Sequence, residues 1–320
     1  MNTNRADIRV KGKSVVVRST EIDDRTVIIS GRWLKKSVIK DEDLIEGETF
    51  TNLESFLSRL KVSGLNADIL SFSQRLPDTR PKHNYHIVWD NLAVIPITSF
   101  SDWWENLVES SVRRAVRRSS KLGLVVKQVQ IDDEFISGIV SINDETPIRQ
   151  GKPFWHFKKS FEAVKAENST YADRNIFFGA YFENELVGYI RLTRVGSVWS
   201  IIQILGKVKH FDKRPLNALI AKAVECCEQT GASHLLYCNY VYNDPKSSLT
   251  EFKRRNGFRQ VLVPRYFVPL TYKGKVALKL GIYDGFVKLI PKPVVAKLLR
   301  IRSLWYERKL RTHTEVAQES

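Results

Sequence analysis

The chain has 320 residues, with 51 Lys and Arg against 35 Asp and Glu, and a formal net charge of +16 at pH 7. A hydrophobic content of 43% and a charged content of 27% are ordinary for a folded protein and argue against a disordered or fibrous chain. Three cysteines without CxxC spacing exclude a disulfide framework, and the six histidines show no metal-ligand spacing, so we expect no metal.

The length predicts about two domains. The first residues, 1–9, lack the apolar core of a secretory signal, and the longest apolar runs are far shorter than the roughly 20 residues that a membrane span needs. We therefore expect a cytoplasmic protein.

The first third of the chain predicts short strands and one helix. Strands are expected over 8–18, 26–30, 67–71 and 86–97, and a helix over 52–61. These elements predict an N-terminal α/β half over residues 1–100.

A well-marked basic helix follows. Asp102 is its expected N-cap with Glu105 three residues on, apolar residues recur at helical spacing, and Gly123 ends it. Arg113, Arg117 and Lys121 form an i, i+4 column on one face. Residues 112–127 carry a net charge of +6, which favours an anionic partner, although a solvated helix face has the same pattern.

The remaining elements predict a mixed sheet with helices on both faces, in a domain covering 101–272. A strand (124–130), two helices (132–143 and 157–168) and the loop between them precede a three-stranded meander over 175–182, 186–193 and 198–205. Pro215 opens the next helix and Gly231 ends it. A strand (234–238), a helix (248–256) and a strand (265–271) complete the pattern.

Four of these segments together resemble the FemAB-like branch of the GNAT acyltransferase superfamily. Its basic helix is similar to residues 112–123, its meander to 176–192, the helix after the meander to 215–225, and its "FK…G" element to 248–258. The resemblance covers about half of the chain. It implies a GNAT-like fold in which the N-terminal third is a degenerate first GNAT half, and it implies acyl transfer.

The resemblance places the acyl donor at the start of the helix after the meander. GNAT enzymes hold the donor pyrophosphate there on backbone N–H groups, so Lys213, Arg214 and Asn217 are expected to bind the donor. Leu216 replaces a motif glycine and Pro215 lacks an N–H, which departs from the coenzyme A pattern. The donor is therefore open between acyl-CoA, such as acetyl-CoA, and the aminoacyl-tRNA of the FemAB branch.

Three residues are candidates for catalysis. Lys253 stands four residues before the glycine of "GF", where its ammonium could stabilise an oxyanion. Glu145 or His156, in the loop where the branch builds its acceptor pocket, could deprotonate an acceptor amine. A surface lysine, a capping glutamate and a structural histidine are the alternatives.

The substrate-binding candidates are cationic, aromatic and amide side chains near these positions. Each could equally be structural. They are Arg113, Arg117, Arg149, Trp155, Tyr240 and Asn243.

The C-terminal segment, 273–320, is basic and amphipathic, and a helix is predicted over 294–310. Residues 271–320 carry a net charge of +7, and an interfacial Trp305 suits contact with the inner face of the cytoplasmic membrane. Packing on the preceding domain is the alternative.

We therefore expect an N-acyltransferase that modifies an amine on a phosphorylated, nucleotide-linked or lipid-linked sugar of the cell envelope or an exopolysaccharide. The competing hypothesis is a non-catalytic RNA-binding or membrane-surface protein on the same scaffold.

Overall fold

A computed structural model describes residues 4–10, 13–149, 152–242 and 244–283. Its strands are β1 (Asn4–Val10), β2 (Lys13–Ile22), β3 (Arg25–Ser30), β4 (Lys36–Ile39), β5 (Ile69–Ser73), β6 (His86–Pro96), β7 (Val125–Val129), β8 (Ile148–Arg149), β9 (Lys152–Pro153), β10 (Asn175–Phe182), β11 (Glu185–Val195), β12 (Val198–Gly206), β13 (His234–Asn239) and β14 (Arg259–Pro269).

Its α-helices are α1 (Leu53–Val62), α2 (Phe100–Asp102), α3 (Ser110–Lys121), α4 (Asp133–Asn143), α5 (Phe161–Asn168), α6 (Pro215–Gln229), α7 (Ser248–Arg255) and α8 (Tyr272–Lys279).

The meander of the second half is confirmed. β10, β11 and β12 pair antiparallel through short turns, and β7 extends the sheet beside β10. Alternate residues of β10 face opposite sides: Phe178 packs in the core under α6, and Phe177 packs in the core under α4. The predicted mixed sheet with helices on both faces is therefore confirmed.

The two halves repeat one arrangement. In the first half, β4 runs parallel to β5, with α1 in the connection between them. In the second half, β12 runs parallel to β13, with α6 in the connection. This repetition fits the expected tandem of GNAT-like halves.

The halves exchange their last strands. In the large sheet the order is β1-β2-β3-β4-β5-β14-β6-β13-β12-β11-β10-β7, so β14 lies between two strands of the first half. β6 in turn pairs antiparallel with β13 of the second half. The expected division at residue 100 stays a prediction, and strand pairing crosses it in both directions.

The basic helix begins later than the sequence predicts. Ser99, and not Asp102, accepts the capping hydrogen bond, and the Asp102 carboxylate instead accepts from the side chains of Thr98 and Asn106. A π-helical turn over Trp103–Leu107 follows, and α3 starts only at Ser110. The Trp103 indole donates to the Asn256 carbonyl at 3.0 Å, a long-range contact that local spacing cannot reveal.

The strands of the structure also differ from the predicted ones at three places. Residues expected as one strand over 8–18 form the hairpin β1–β2, the short β4 was not predicted, and β14 begins at Arg259. Pairing with neighbouring strands sets these bounds, and for β4 and β14 those neighbours include strands that are distant in sequence.

Candidate active site

The parallel strands β12 and β13 pair only at their beginnings. The paired residues are Val198 with His234, Trp199 with Leu235, and Ser200 with Leu236. The ladder stops there, while β12 continues to Gly206 and β13 to Asn239. The two strands thus separate and leave an opening in the sheet, with a cavity on each face.

The first cavity, which we call the apolar cavity, has a volume of about 360 Å³. Arg149 brings a guanidinium to its wall, where it donates to the carbonyls of Ile142 (2.9 Å) and Gly206 (3.2 Å). The wall is otherwise mostly apolar, from β12, α7 and the segment before α6: Ile204, Leu205, Phe211, Leu216, Tyr237 and Phe252.

The second cavity, which we call the inter-half cavity, has a volume of about 510 Å³ and is lined by residues of both halves. Leu236 and Cys238 of β13 line it, whereas the intervening Tyr237 lines the apolar cavity. Leu236 and Tyr237 are successive residues of β13 and point to opposite faces, so the two cavities lie on opposite sides of the opening. Beyond them, the left-handed backbone of Cys238 (φ 46°) ends the alternation, and Asn239 also lines the inter-half cavity.

A cluster of half-buried charges lies at the inter-half cavity. The Arg265 guanidinium pairs with Asp90 at 2.8 Å and with Glu42 at 3.4 Å. The Glu42 carboxylate also accepts from the backbone N–H of Ser73 at 2.6 Å. Burial raises the pKa of Glu42, and the Arg265 charge opposes that rise. The cluster fixes β5, β6 and β14 around the cavity.

Lys253 lies next to the opening and is fully buried, with 0% of its surface exposed. Its Nζ donates to the carbonyl of Asn239 at 2.5 Å and lies 4.4 Å from the ring centre of Tyr237 and 4.9 Å from that of Tyr242. Burial lowers the pKa of Lys253 to about 8. Asn239 lines the inter-half cavity and Tyr237 lines the apolar cavity, so Lys253 contacts one residue of each wall, although its own side chain lines neither cavity.

The helix that carries Lys253 is fixed at both ends. The Ser247 side chain accepts from Thr250 N at the start of α7, and the N–H of Phe258 returns to the Lys253 carbonyl at 3.1 Å. Gly257 has φ +83°, and a Cβ there would lie 3.0 Å from Trp103 Nε1. The glycine of the "FK…G" segment therefore permits both the turn and the close approach.

Glu145 caps the segment before α6. Its carboxylate accepts from the N–H groups of Val208 (2.5 Å) and Lys209 (2.9 Å). Beside it, Glu185 pairs with Lys207 (2.6 Å) and with His210 (3.0 Å). These contacts, led by the hydrogen bond from Lys207, lower the pKa of Glu185 to about 2. Carboxylates of the chain thus occupy donors in the segment just before the predicted donor site at residues 213–217, and the predicted base is engaged as a cap.

His156 has a pKa that does not suit the predicted role of general base. Burial, with the charges of Lys159 and Arg149, lowers its pKa to about 3. Such an imidazole is neutral at pH 7 and too weak a base to take a proton from an amine efficiently. Trp155 packs on it with ring centres 3.6 Å apart and is 53% exposed. Trp155 and His156 lie in the loop between α4 and α5 and line neither cavity.

The three donor-binding candidates lie outside both cavities and contact the protein itself. Lys213 pairs with Asp212 at 3.3 Å and lies 4.5 Å from the ring centre of Phe182. Arg214 adopts left-handed backbone (φ 57°) as the residue before α6. The Asn217 amide donates to the Asn256 side chain at 3.1 Å. Donor binding by these residues stays a prediction.

The substrate-binding candidates separate into two groups. Arg149 lines the apolar cavity. Arg113 instead donates to the carbonyls of residues 104, 105 and 108, and Arg117 lies exposed, 5.7 Å from the ring centre of Trp104. Tyr240 packs against the hydrophobic core. Asn243 and the basic helix predicted over 294–310 lie outside the described residues.

Several residues of the site were not predicted from the sequence. Arg75, Asp90 and Arg265 line the inter-half cavity, although each lies in or beside a different strand. The local signal is weak. Arg75 comes two residues after the fully buried β5, and Asp90 and Arg265 are charges in the mostly apolar middle parts of β6 and β14. Only the exchange of β6 and β14 brings them together.

Within the described residues, no group of His, Cys, Asp and Glu side chains could hold a metal ion. Among the helices that the structure describes, none is long and apolar enough to cross a membrane.

The chain matches no family model and no curated protein sequence. Its fold, however, is similar to solved structures. FemX has a TM-score of 0.55 at 11% identity, over 82% of this chain and 87% of that one. L-PGS from Bacillus licheniformis (TM-score 0.53, 15% identity) and the C-terminal domain of a lysylphosphatidylglycerol synthetase from Agrobacterium fabrum (0.53, 11%) match over the same shares. The chain therefore has the fold of FemX, which is the FemAB-like, GNAT-like fold that the sequence predicts.

Proposed function

We propose that the protein is an acyltransferase whose reaction takes place at the opening between β12 and β13. The observation that carries the proposal is a cavity on each face of this opening, with the buried ammonium of Lys253 between them. Two cavities that meet at a break in the sheet suit two substrates that must react with each other. The acyl donor would occupy the apolar cavity and the acceptor the inter-half cavity.

The reaction needs no covalent enzyme intermediate. The acceptor nitrogen attacks the acyl carbonyl, a C–N bond forms, the bond from the acyl carbon to the donor's oxygen or sulfur breaks, and the proton of the amine passes to the leaving group or to solvent. Negative charge develops on the carbonyl oxygen during the attack, and a cation in a water-poor site favours it. Lys253 would supply this charge while positioning the Asn239 peptide at the opening.

The start of α6 favours an aminoacyl-tRNA over acyl-CoA as the donor. Pro215 has no N–H there, and the N–H groups of Asn217 and Ala218 donate to the Arg214 carbonyl at 3.2 and 3.3 Å, so a coenzyme pyrophosphate would find few free donors. Exposed cations of α3, on the other hand, lie close to this segment, because α3 packs against α6. They suit a large polyanion.

The acceptor would be a cell-envelope or exopolysaccharide precursor that carries an amine. The solved structures of similar fold include FemX and a domain whose name refers to lysylphosphatidylglycerol synthesis. A lipid-linked acceptor is consistent with the second of these names. A phosphorylated or nucleotide-linked sugar at the cytoplasmic face of the membrane is the acceptor that we favour.

The test is a transfer assay with radiolabelled donors. Total tRNA charged with labelled amino acids, and labelled acetyl-CoA in parallel, would be incubated with the protein and with a membrane and nucleotide-sugar extract. We expect label from aminoacyl-tRNA in the acceptor fraction, at least about tenfold less with Lys253→Met, and partial activity with Lys253→Arg. Because Lys253 loses its proton above pH 8, wild-type activity relative to Lys253→Arg should fall as the pH rises through 8.

Arg59→Gln, which alters an exposed ion pair with Asp23 far from both cavities, is the control. Transfer from acetyl-CoA alone would overturn the choice of donor. Binding of tRNA with no transfer from either donor would overturn the enzyme hypothesis and favour the RNA-binding alternative.

A further inference from the structure

Arg75 stands where the first half meets the inter-half cavity. It follows β5 by two residues, and it lies on the wall of both the inter-half cavity and a smaller neighbouring cavity of about 170 Å³. Its side chain is 21% exposed. Asn239, whose carbonyl holds Lys253, lines the inter-half cavity as well. Arg75 therefore shares a cavity with the opening in the sheet.

One edge of the Arg75 guanidinium has no partner in the described part of the chain. Nε and Nη2 are both buried and make no hydrogen bond, whereas Nη1 lies 3.7 Å from a carboxylate oxygen of Asp43. Nε and Nη2 point to the same side of a guanidinium and form a two-pronged donor that matches the two oxygens of a carboxylate or phosphate. Leaving such donors buried and unpaired costs free energy.

The surrounding charges do not satisfy this edge. Glu42 directs its oxygens to Ser73 N and Arg265, and Asp90 pairs with Arg265. The Asp43 side chain is 92% exposed, so its long contact with Nη1 is weak. Arg265 repels Arg75, and Glu42 and Asp43 attract it. The carboxylates near Arg75 are therefore committed elsewhere or exposed to solvent.

We propose that Arg75 is an oxyanion-binding residue of the inter-half cavity, and that the acceptor carries a phosphate or carboxylate which binds side-on to Nε and Nη2. The acceptor's nucleophile would then lie toward Asn239 and the opening. The inference rests on the proposed function for calling the ligand an acceptor, and it deepens that proposal by naming the group that the cavity recognises.

The experiment measures binding without any acyl transfer. Isothermal titration of the full chain would use sn-glycerol 3-phosphate and UDP-N-acetylglucosamine as soluble phosphates and N-acetylmuramic acid as a carboxylate. Flotation would use vesicles of phosphatidylglycerol in phosphatidylcholine, against phosphatidylcholine alone. We expect at least one probe to bind, and both Arg75→Gln and Arg75→Lys to weaken it at least about tenfold, because lysine keeps the charge but lacks the fork. Arg59→Gln is the matched control.

Binding of soluble probes only would identify a free sugar phosphate or acid, and binding of vesicles only would identify a lipid headgroup. A second measurement covers variants that fail to fold: modification of Arg75 by phenylglyoxal in the wild-type protein should slow in the presence of the probe. Unchanged binding by Arg75→Gln, or no protection of Arg75 by any probe, would overturn the inference.

Failure of this inference and failure of the proposed function have different outcomes. Lys253→Met should lose transfer but keep the binding that depends on Arg75. Active transfer with an unchanged KM for the acceptor in Arg75→Gln would overturn the inference alone. Arg75-dependent binding without transfer from any donor would overturn the proposed function alone.

Discussion

Burial decides which ionisable side chains near the opening carry a charge. Lys253 and His156 both have lowered pKa values because the protein surrounds them, yet with different results at pH 7. Lys253, with a pKa of about 8, keeps its proton for most of the time, whereas His156, at about 3, is neutral. The lysine can therefore act through its charge, and the histidine through packing and hydrogen bonding only.

We expect His156 to make the fold sensitive to acid. Its pKa is 6.5 in an unfolded chain and about 3 in the folded protein, so between these values the unfolded chain takes up a proton that the folded protein does not. The stability that neutral His156 contributes is fully present above pH 6.5 and is lost as the pH falls toward 3. Between pH 7 and pH 5, the free energy of unfolding of the wild-type protein, measured by urea unfolding, should fall by about 1 to 2 kcal/mol more than that of His156→Gln. Parallel losses in the two proteins would contradict this, and His86→Gln is the control.

At the scale of single elements, α3 carries two kinds of cation. Arg113 turns back onto the preceding turn and donates to three backbone carbonyls that would otherwise end a π-helical segment unpaired. Arg114, Arg117, Arg118 and Lys121 are exposed. Of the predicted column, Arg113 therefore supports the local backbone, whereas Arg117 and Lys121 lie on the surface.

Replacing cations of α3 by uncharged residues should therefore affect tRNA binding at the exposed positions and stability at Arg113. The triple change Arg114→Gln, Arg118→Gln and Lys121→Gln should weaken tRNA binding and lower its dependence on log salt concentration by about two, because fewer counterions are released. Its urea midpoint should stay near that of the wild type. Arg113→Gln should instead cost about 1 to 3 kcal/mol of stability, since three carbonyls lose a donor. Filter binding over a salt series measures the first effect, and urea unfolding measures the second. An unchanged salt dependence of tRNA binding in the triple variant would refute the assignment of tRNA binding to the exposed face of α3.

At the scale of the whole molecule, the exchange of strands joins the two halves into one sheet. β14 pairs with β5 and β6 along much of its length, and β6 pairs with β13. Each half alone would expose the long edges of strands whose partners belong to the other half, and unpaired edges of this kind are unfavourable. The inter-half cavity, with Arg75 on one side and Asn239 on the other, exists only because of this exchange.

We therefore expect the two halves to unfold together. Tryptophan fluorescence and far-UV circular dichroism should give coincident urea transitions for the full chain. Residues 1–100 and 101–320, expressed separately, should each lack a cooperative transition. Two resolved transitions, or a stably folded separate half, would show that the exchanged strands are dispensable.

The sequence by itself determined the elements whose signals are local. The β-rich runs of β10–β12 with short turns between them, Pro215 at the start of α6 and Gly257 after α7 predict these elements, because strand propensity and backbone φ depend on near neighbours. The order of these elements also sufficed for the resemblance to the FemAB-like fold, which the solved structures bear out.

Only the tertiary structure decided which charged side chains belong to the site. Arg113 and Glu145 look like binding and catalytic residues in sequence, but Arg113 donates to the backbone of the preceding turn and Glu145 accepts from backbone N–H groups more than 60 residues away. Arg75 and Arg265 have only a weak local signal and reach the same cavity through the exchange of strands. The physical reason is that hydrophobic periodicity acts within one element, whereas the partner of a buried charge is set by whichever distant segment packs against it.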